Sequence, residues 1–340
     1  MSNQPWLFLF SISGVKLTSS ESNPGYIFQD ATLLSGEEAR HLSTLPNALH
    51  PFFQHNQPAD CYIAVKRGCD PDDGISHEKA HKSAKERAET IASVMAFWLF
   101  GRTKQTAFCG LSDNMTWRFS NVISFGYPQQ PLETAGSVAR SGARNIAPLT
   151  VVNANSYTRE SFLKDIRQDS FKNLFDAVVM RDKAIGSQLQ EALTRASERL
   201  AIGLYSQNLG EFIVATITAL EILFAENDNK EKIIQKRYTT LVSHPLEKVI
   251  NVYTERNNWI HRGTEVSKEQ AFSALALGVS ALLSVADLAF DMPSETTLST
   301  FLGFLDVVAI TNVLPDEAFQ YFLKRMPNER SRINVASAPT

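Results

Sequence analysis

The sequence predicts an α+β N-terminal domain followed by an all-α helical bundle. Two changes of pattern carry that expectation. Up to about residue 150, short apolar runs are separated by turn-rich stretches such as Ser19-Ser20-Glu21-Ser22-Asn23-Pro24 and Asp70-Pro71-Asp72-Asp73-Gly74. From Tyr157 onward glycine and proline become rare and apolar residues recur at helical spacing. The 340 residues suffice for two domains, and a content of 44% hydrophobic and 20% charged residues describes a globular chain. The expected organisation is an α+β domain over 1–150, a helical domain over 157–290, and a helical extension with a polar tail over 291–340.

In the first domain, Trp6 to Leu17 and Gly25 to Leu34 read as strands, and the acidic first turn of Gly36-Glu37-Glu38-Ala39-Arg40 suits a short helix. Cys61 to Lys66 is a further strand. A long helix is expected from Ser76 to Gly101, deepening in apolar character toward Ile91, Val94, Phe97, Trp98 and Leu99. Cys109 to Phe125 returns to strand character, and 133–149 is irregular. No glycine-rich phosphate loop is present.

His77-Glu78-Lys79-Ala80-His81 matches HExxH, in which two histidines one turn apart bind zinc and the glutamate activates water. Zinc sites of that kind lie in dry, apolar helices. This match opens a solvated helix, is followed by Lys82, Lys85, Glu86 and Arg87, and lacks a recognisable third ligand. The reading is a polar helix start, with no metal and no cofactor. The cysteines Cys61, Cys69 and Cys109 form no CxxC pair, which fits apolar use in a reducing compartment. The short apolar run Trp6 to Phe10 reads as a strand rather than a signal peptide. No uninterrupted apolar run reaches the roughly 18 residues of a bilayer span. A cytoplasmic protein with no membrane partner is expected.

The helical half is expected as a helix through Phe162, Ile166, Phe171, Leu174, Phe175 and Val178, a second from Asp182 to Ser206, and a third from Gly210 to Glu226. The third is apolar on nearly every side, which marks a central helix. Glu221 is its anomaly: a carboxylate there needs a cation or hydrogen-bond donors, since an unpaired buried charge is costly. Lys230 to Val242 and Leu246 to His261 follow, with Gly263 a natural C-terminal stop. Ser267 to Phe290 begins with a capping box, Ser267 and Gln270. A further helix spans Leu298 to Val313, and Pro315 opens a short one.

The chemistry is concentrated in Arg256-Asn257-Asn258-Trp259-Ile260-His261-Arg262-Gly263. Arginine offers a fixed fork to phosphate oxygens, and histidine titrates near neutral pH and can move a proton. RNA carries its own nucleophile, the 2′-hydroxyl, so its cleavage needs only proton transfer and charge stabilisation. The net charge of −3 leaves no global basic field, so any RNA surface has to be local. Arg262 adds phosphate attraction. Arg237 and His244 repeat the pairing of arginine and histidine loosely, with Tyr238 in the place that Asn257 takes after Arg256.

Ala219-Leu220-Glu221-Ile222-Leu223-Phe224, then Lys236-Arg237-Tyr238, then Val252-Tyr253 leading into Arg256-Asn257 and His261, resembles the HEPN superfamily, in its Apea-like branch. The resemblance covers about Gln188 to Phe290. It implies a metal-independent endoribonuclease of antiphage-defence or toxin type, with Arg256, Asn257 and His261 catalytic. Expected products are a 2′,3′-cyclic phosphate and a 5′-hydroxyl. Glu221, Arg237 and Arg262 would be supporting residues, and the first domain a regulatory or partner-sensing unit.

Geometry qualifies the site. Residues 256 and 261 lie about 140° apart around a straight helix, whereas Asn257 and His261 share a face. Arg256 and His261 converge only if the helix unwinds at His261 or two subunits share a cleft. The resemblance implies the second, a homodimer with a composite site. Two competing uses remain open: Arg256 paired with Glu221 as a bundle lock, and His261 as a C-terminal histidine favoured by the helix dipole. On those terms the protein is a non-catalytic module that dimerises and senses a ligand or partner.

Overall fold

The computed structural model describes residues 6–12, 16–18, 30–38, 61–67, 77–103, 122–125, 156–168, 170–205, 208–225, 231–242 and 244–311. They fall into two compact units, Met1–Lys172 and Asn173–Thr340. The turns expected at 19–24 and 70–74, Cys69, Cys109, the irregular 133–149, the helix from Pro315 and the polar tail lie outside the described residues.

The first unit contains β1 (Trp6–Ile12), β2 (Lys16–Thr18), β3 (Ala31–Ser35), β4 (Cys61–Arg67), the helix α1 (His77–Thr103), β5 (Val122–Phe125), β6 (Ser156–Thr158) and α2 (Arg159–Gln168). One antiparallel sheet has the order β3-β4-β1-β5, and β2 pairs in parallel with β6. Phe8, Leu9 and Phe10 are all buried, as expected for an inner strand covered on both faces. Phe8 lies opposite Val65 and Ser124, and Phe10 opposite Ile63 and Val122.

Ala80, Ala84, Ala88 and Ile91 are buried along α1 at helical spacing, and the small alanines let the helix sit close to the sheet. His81 belongs to this contact, its ring 5.8 Å from that of Phe8 and 6.2 Å from that of Phe10. Among the described residues no three His, Cys, Asp or Glu side chains are placed to hold a metal. Asp30 ties strand to helix: its Oδ2 accepts from Arg67 Nη1 at 2.5 Å and its Oδ1 from the buried Arg87 Nε at 3.0 Å. Burial opposes ionisation of Asp30, but the two guanidinium groups outweigh it and hold the carboxyl below its usual range.

Two expected elements are divided. Trp6 to Leu17 is not one strand but β1 and β2, which enter different sheets, and Gly14 lies between them in sequence. The helix expected through Phe162 and Val178 is α2 followed by α3 (Lys172–Val178). The sequence between them carries Asp169 and Ser170, residue types that disfavour a helix interior. The edge of Trp98 meets the ring of Phe162 at 4.9 Å, so α2 packs within the first unit.

The second unit is helical: α4 (Ser187–Tyr205), α5 (Leu209–Phe224), α6 (Glu231–Leu241), α7 (Leu246–Arg262), α8 (Lys268–Asp291) and α9 (Leu298–Thr311) follow α3. The helix expected from Asp182 starts instead at Ser187, because Asp182 Oδ1 accepts the Ala184 N–H at 2.9 Å and holds a turn there. The chain reaches this turn through Arg181, at φ 53°, the only described non-glycine residue with positive φ. Arg181 is exposed, and its left-handed backbone lets the Asp182 N–H reach the Asp176 carbonyl at 3.0 Å, a turn glycine makes equally well. Arg181→Gly is expected to stabilise the unit by about 0.5–1 kcal/mol, the left-handed penalty less glycine's chain-entropy cost, read by urea denaturation.

Helix α5 is the centre, in contact with α4, α6, α7 and α8. Phe212, Ile213, Ile217, Leu220, Leu223 and Phe224 are buried along it, and Asn208 Oδ1 accepts the Gly210 N–H at 2.8 Å at its start. The capping box opening α8 is present: Ser267 Oγ accepts from Gln270 N at 3.2 Å and Gln270 Oε1 from Ser267 N at 2.7 Å. Helix α8 is long and apolar enough to cross a membrane, a test that bundle core helices also pass. Here 61% of its most apolar stretch is buried, and it contacts α4, α5 and α7.

Candidate functional site

Helix α7 presents the motif. It starts after Pro245 with Glu247 in its first turn and ends with His261 and Arg262 in its last, the charge order its dipole favours. Gly263 closes it in the left-handed conformation, φ 66°, with its N–H on the Trp259 carbonyl at 3.1 Å. The helix is continuous through Arg262, so it does not unwind at His261. Arg256 and His261 therefore keep the angular separation of a regular helix. Arg256 is half-buried, whereas Asn257, His261 and Arg262 are exposed.

Arg256 Nη1 donates to Asn257 Oδ1 at 3.0 Å, linking the first two motif residues. On α5, burial raises the Glu221 carboxyl above its usual range, and the charge of Arg256 acts in the opposite direction. Tyr253, one turn before Arg256, is 4% exposed, and its hydroxyl has no hydrogen-bond partner among the described residues. Its phenol is pushed well above the ordinary tyrosine range, first by burial, then by the negative charges of Glu221 and Glu231, against the pull of Arg256. The Arg256 end of the site is thus a charge cluster drawn from α5, α6 and α7. The i, i+3 spacing of Tyr253 and Arg256 is a sequence signal for shared facing. Nothing local marks Glu231.

Arg237, expected as a supporting residue, is held by partners on α5 and α9. Its Nε and Nη2 donate to Asp306 Oδ1 and Oδ2 at 2.9 and 2.7 Å, and its Nη1 donates to the Phe224 carbonyl at 2.7 Å. It brackets α6 to α9 and caps the end of α5. His244, the partner of Arg237 in the looser repeat of the motif, is 2.8 Å through Nδ1 from the Tyr238 hydroxyl, and the two rings lie 6.1 Å apart. That repeat is packing.

Trp259 is also packing. A Cβ on Gly210 would fall 2.1–2.3 Å from its indole, so glycine at 210 lets α7 close on the start of α5. Gly210→Ala should force the indole out and cost about 1–3 kcal/mol, as overpacked sites do. Trp259→Ala in the same chain should relieve the clash, leaving a double mutant less destabilised than the sum of the two.

Two depressions flank the cluster. One of about 440 Å³ lies around Gly210, Trp259, Gly263 and Glu265, at the His261 end of α7. The other, of about 560 Å³, lies between α4 and α5 and includes Glu221. No family model, curated protein or solved structure matches the chain.

Proposed function

We propose that the helical unit is a metal-independent RNA endonuclease of the HEPN type, acting as a homodimer with a composite site. The observation that carries this reading is the division of the motif. An unbroken α7 keeps Arg256 half-buried, where its charge acts on Glu221, while leaving Asn257 and His261 exposed on one face. A site needing both arginine and histidine at one phosphate is then completed by a second copy.

In the proposed reaction the substrate 2′-oxygen bonds to phosphorus and the bond from phosphorus to the 5′-oxygen breaks. His261 takes the 2′-hydroxyl proton and the departing 5′-oxygen gains one, from the partner's His261 or from water. Arg256 stabilises the charge gathering on the non-bridging oxygens, and Asn257 holds its guanidinium. The products are a 2′,3′-cyclic phosphate and a 5′-hydroxyl. On this reading the protein is a cytoplasmic effector of antiphage-defence or toxin type. Residues 1–150 would then restrain it through a regulatory partner.

The test is incubation of the full chain with single-stranded RNA and tRNA in EDTA, with end-group analysis and a measured mass. Fragments with 5′-hydroxyl and cyclic-phosphate ends support the proposal; 3′-hydroxyl ends contradict it. A second reading, a non-catalytic dimerising and sensing module, is favoured by the Arg256–Asn257 hydrogen bond and the Arg256–Glu221 attraction, which give the arginine a structural use. It requires a dimer that turns over no RNA.

A further inference from the structure

The 560 Å³ groove has the size of a small-ligand site, which commonly spans about 300–1,000 Å³. Its two walls repeat one spacing. Gln188, Glu191, Ala192 and Arg195 line it from α4, and Thr218, Glu221 and Ile222 from α5 with Ala225 at its C-cap, each set at i, i+3, i+4 and i+7; Leu298 of α9 also lines it. Two helices therefore offer one continuous face each, with apolar side chains spaced between polar ones.

The polar groups differ in how far they are committed. The Thr218 hydroxyl donates to the Val214 carbonyl at 2.9 Å, and Gln188 Oε1 accepts the Leu298 N–H at 3.1 Å. Glu221 makes no hydrogen bond or ion pair among the described residues, although α5 half-buries it. It is an uncommitted acceptor in the groove lining, with two oxygens to offer. Arg195 reaches Glu191 only at 4.0 Å with both side chains largely exposed, a pairing too weak to hold it. Arg199 is exposed one turn further along α4.

We infer that this groove takes a guanine base of single-stranded RNA, with Glu221 accepting from its Watson–Crick edge and Arg195 and Arg199 holding flanking phosphates. A carboxylate accepts two parallel N–H bonds, and among the four bases guanine alone offers adjacent ring N–H and amino donors. Adenine and cytosine set an acceptor beside their amino group, and uracil flanks its one N–H with two carbonyls. The side chains of Ala192, Ile222 and Ala225 leave room for a flat ring. Two arginines one turn apart suit successive phosphates better than a free base does. The inference rests on the ribonuclease reading and adds the base that is recognised.

The test uses the full-length His261→Ala protein, so that RNA stays intact, and fluorescence anisotropy with six-nucleotide RNAs differing at one position. Guanosine should bind at least about tenfold tighter than inosine, which lacks only the amino donor, and than adenosine, the worth of one hydrogen bond to a charged group. Ala192→Leu, which fills the groove without touching Arg256, should erase the preference. Ala225→Leu at the rim does the same if the first variant is unstable. Binding indifferent to the base overturns the inference, even where the wild type cleaves RNA. Guanosine monophosphate binding as tightly as the oligonucleotide also overturns it, making the ligand a free nucleotide. Cleavage by wild type in EDTA reports separately on the ribonuclease reading.

Discussion

Mixing Arg256→Ala protein with His261→Ala protein is expected to restore RNA cleavage that neither has alone. Each single variant should be deeply impaired. Loss of a general acid–base histidine costs about 10²–10⁴ in rate, and loss of a transition-state charge donor about 10²–10³. The rescue follows from α7 remaining helical through Arg262, which keeps Arg256 and His261 of one chain on different faces. If Arg256 of one subunit works with His261 of the other, a mixed dimer contains one site with both defects and one with neither. Random exchange in a two-fold dimer then returns roughly a quarter of wild-type activity. If both residues act within one chain, every motif in the mixture carries a defect and no activity returns. The measurement is fluorogenic RNA cleavage after subunit exchange, with the mixed dimer verified by mass. Exchange without rescue would end the composite-site proposal, and full activity in both single variants would remove these residues from the chemistry altogether.

The sequence made the centre of the helical unit legible because its signals there are local and agree with one another. The all-round apolar run of α5 marks a buried helix, Gly263 marks the end of α7, and Ser267 with Gln270 marks the start of α8; each reappears in the structure. The errors lie where a few polar residues decide an element. Asp182 holds a turn that delays α4, and Asp169-Ser170 coincide with the division of α2 from α3, although apolar periodicity runs on through both places. In the candidate site, the exposed pair Asn257 and His261 was readable from i, i+4 spacing alone. The Arg256 end was only half readable. Glu221 stood out as a charge in an apolar helix, whereas Glu231 and the buried Tyr253 hydroxyl join that cluster through tertiary packing that no local pattern encodes. Arg237 is the clearest case: its partner Asp306 is 69 residues away, so no local pattern competed with the supporting role that the resemblance implied.

Arg237→Ala is expected to cost the helical unit about 2–3 kcal/mol while sparing the proposed RNA chemistry of whatever remains folded. The substitution removes a two-pronged ion pair to Asp306 and leaves the Phe224 carbonyl without its cap. Truncating one partner of a buried pair costs about 3–5 kcal/mol, but Asp306 is 42% exposed and water can replace part of the lost interaction, which sets the lower figure. The guanidinium, at 12% exposure, is the more enclosed partner, so Asp306→Asn should also destabilise by leaving a buried cation poorly compensated. Arg237→Lys should fall between wild type and alanine, since a lysine keeps the charge but cannot span two carboxylate oxygens and a carbonyl at once. Urea denaturation of the single and double variants measures the coupling, which should exceed the 0.2–1 kcal/mol typical of exposed pairs. Activity separates this bracket from a positioning residue. At temperatures where the variant is folded, a bracket leaves the cleavage rate per folded molecule near wild type, whereas a residue that orients Arg256 would lower it as Arg256→Ala does. A loss of rate with no loss of stability would return Arg237 to the site, and α9 would then be an accessory to catalysis rather than a brace for the bundle.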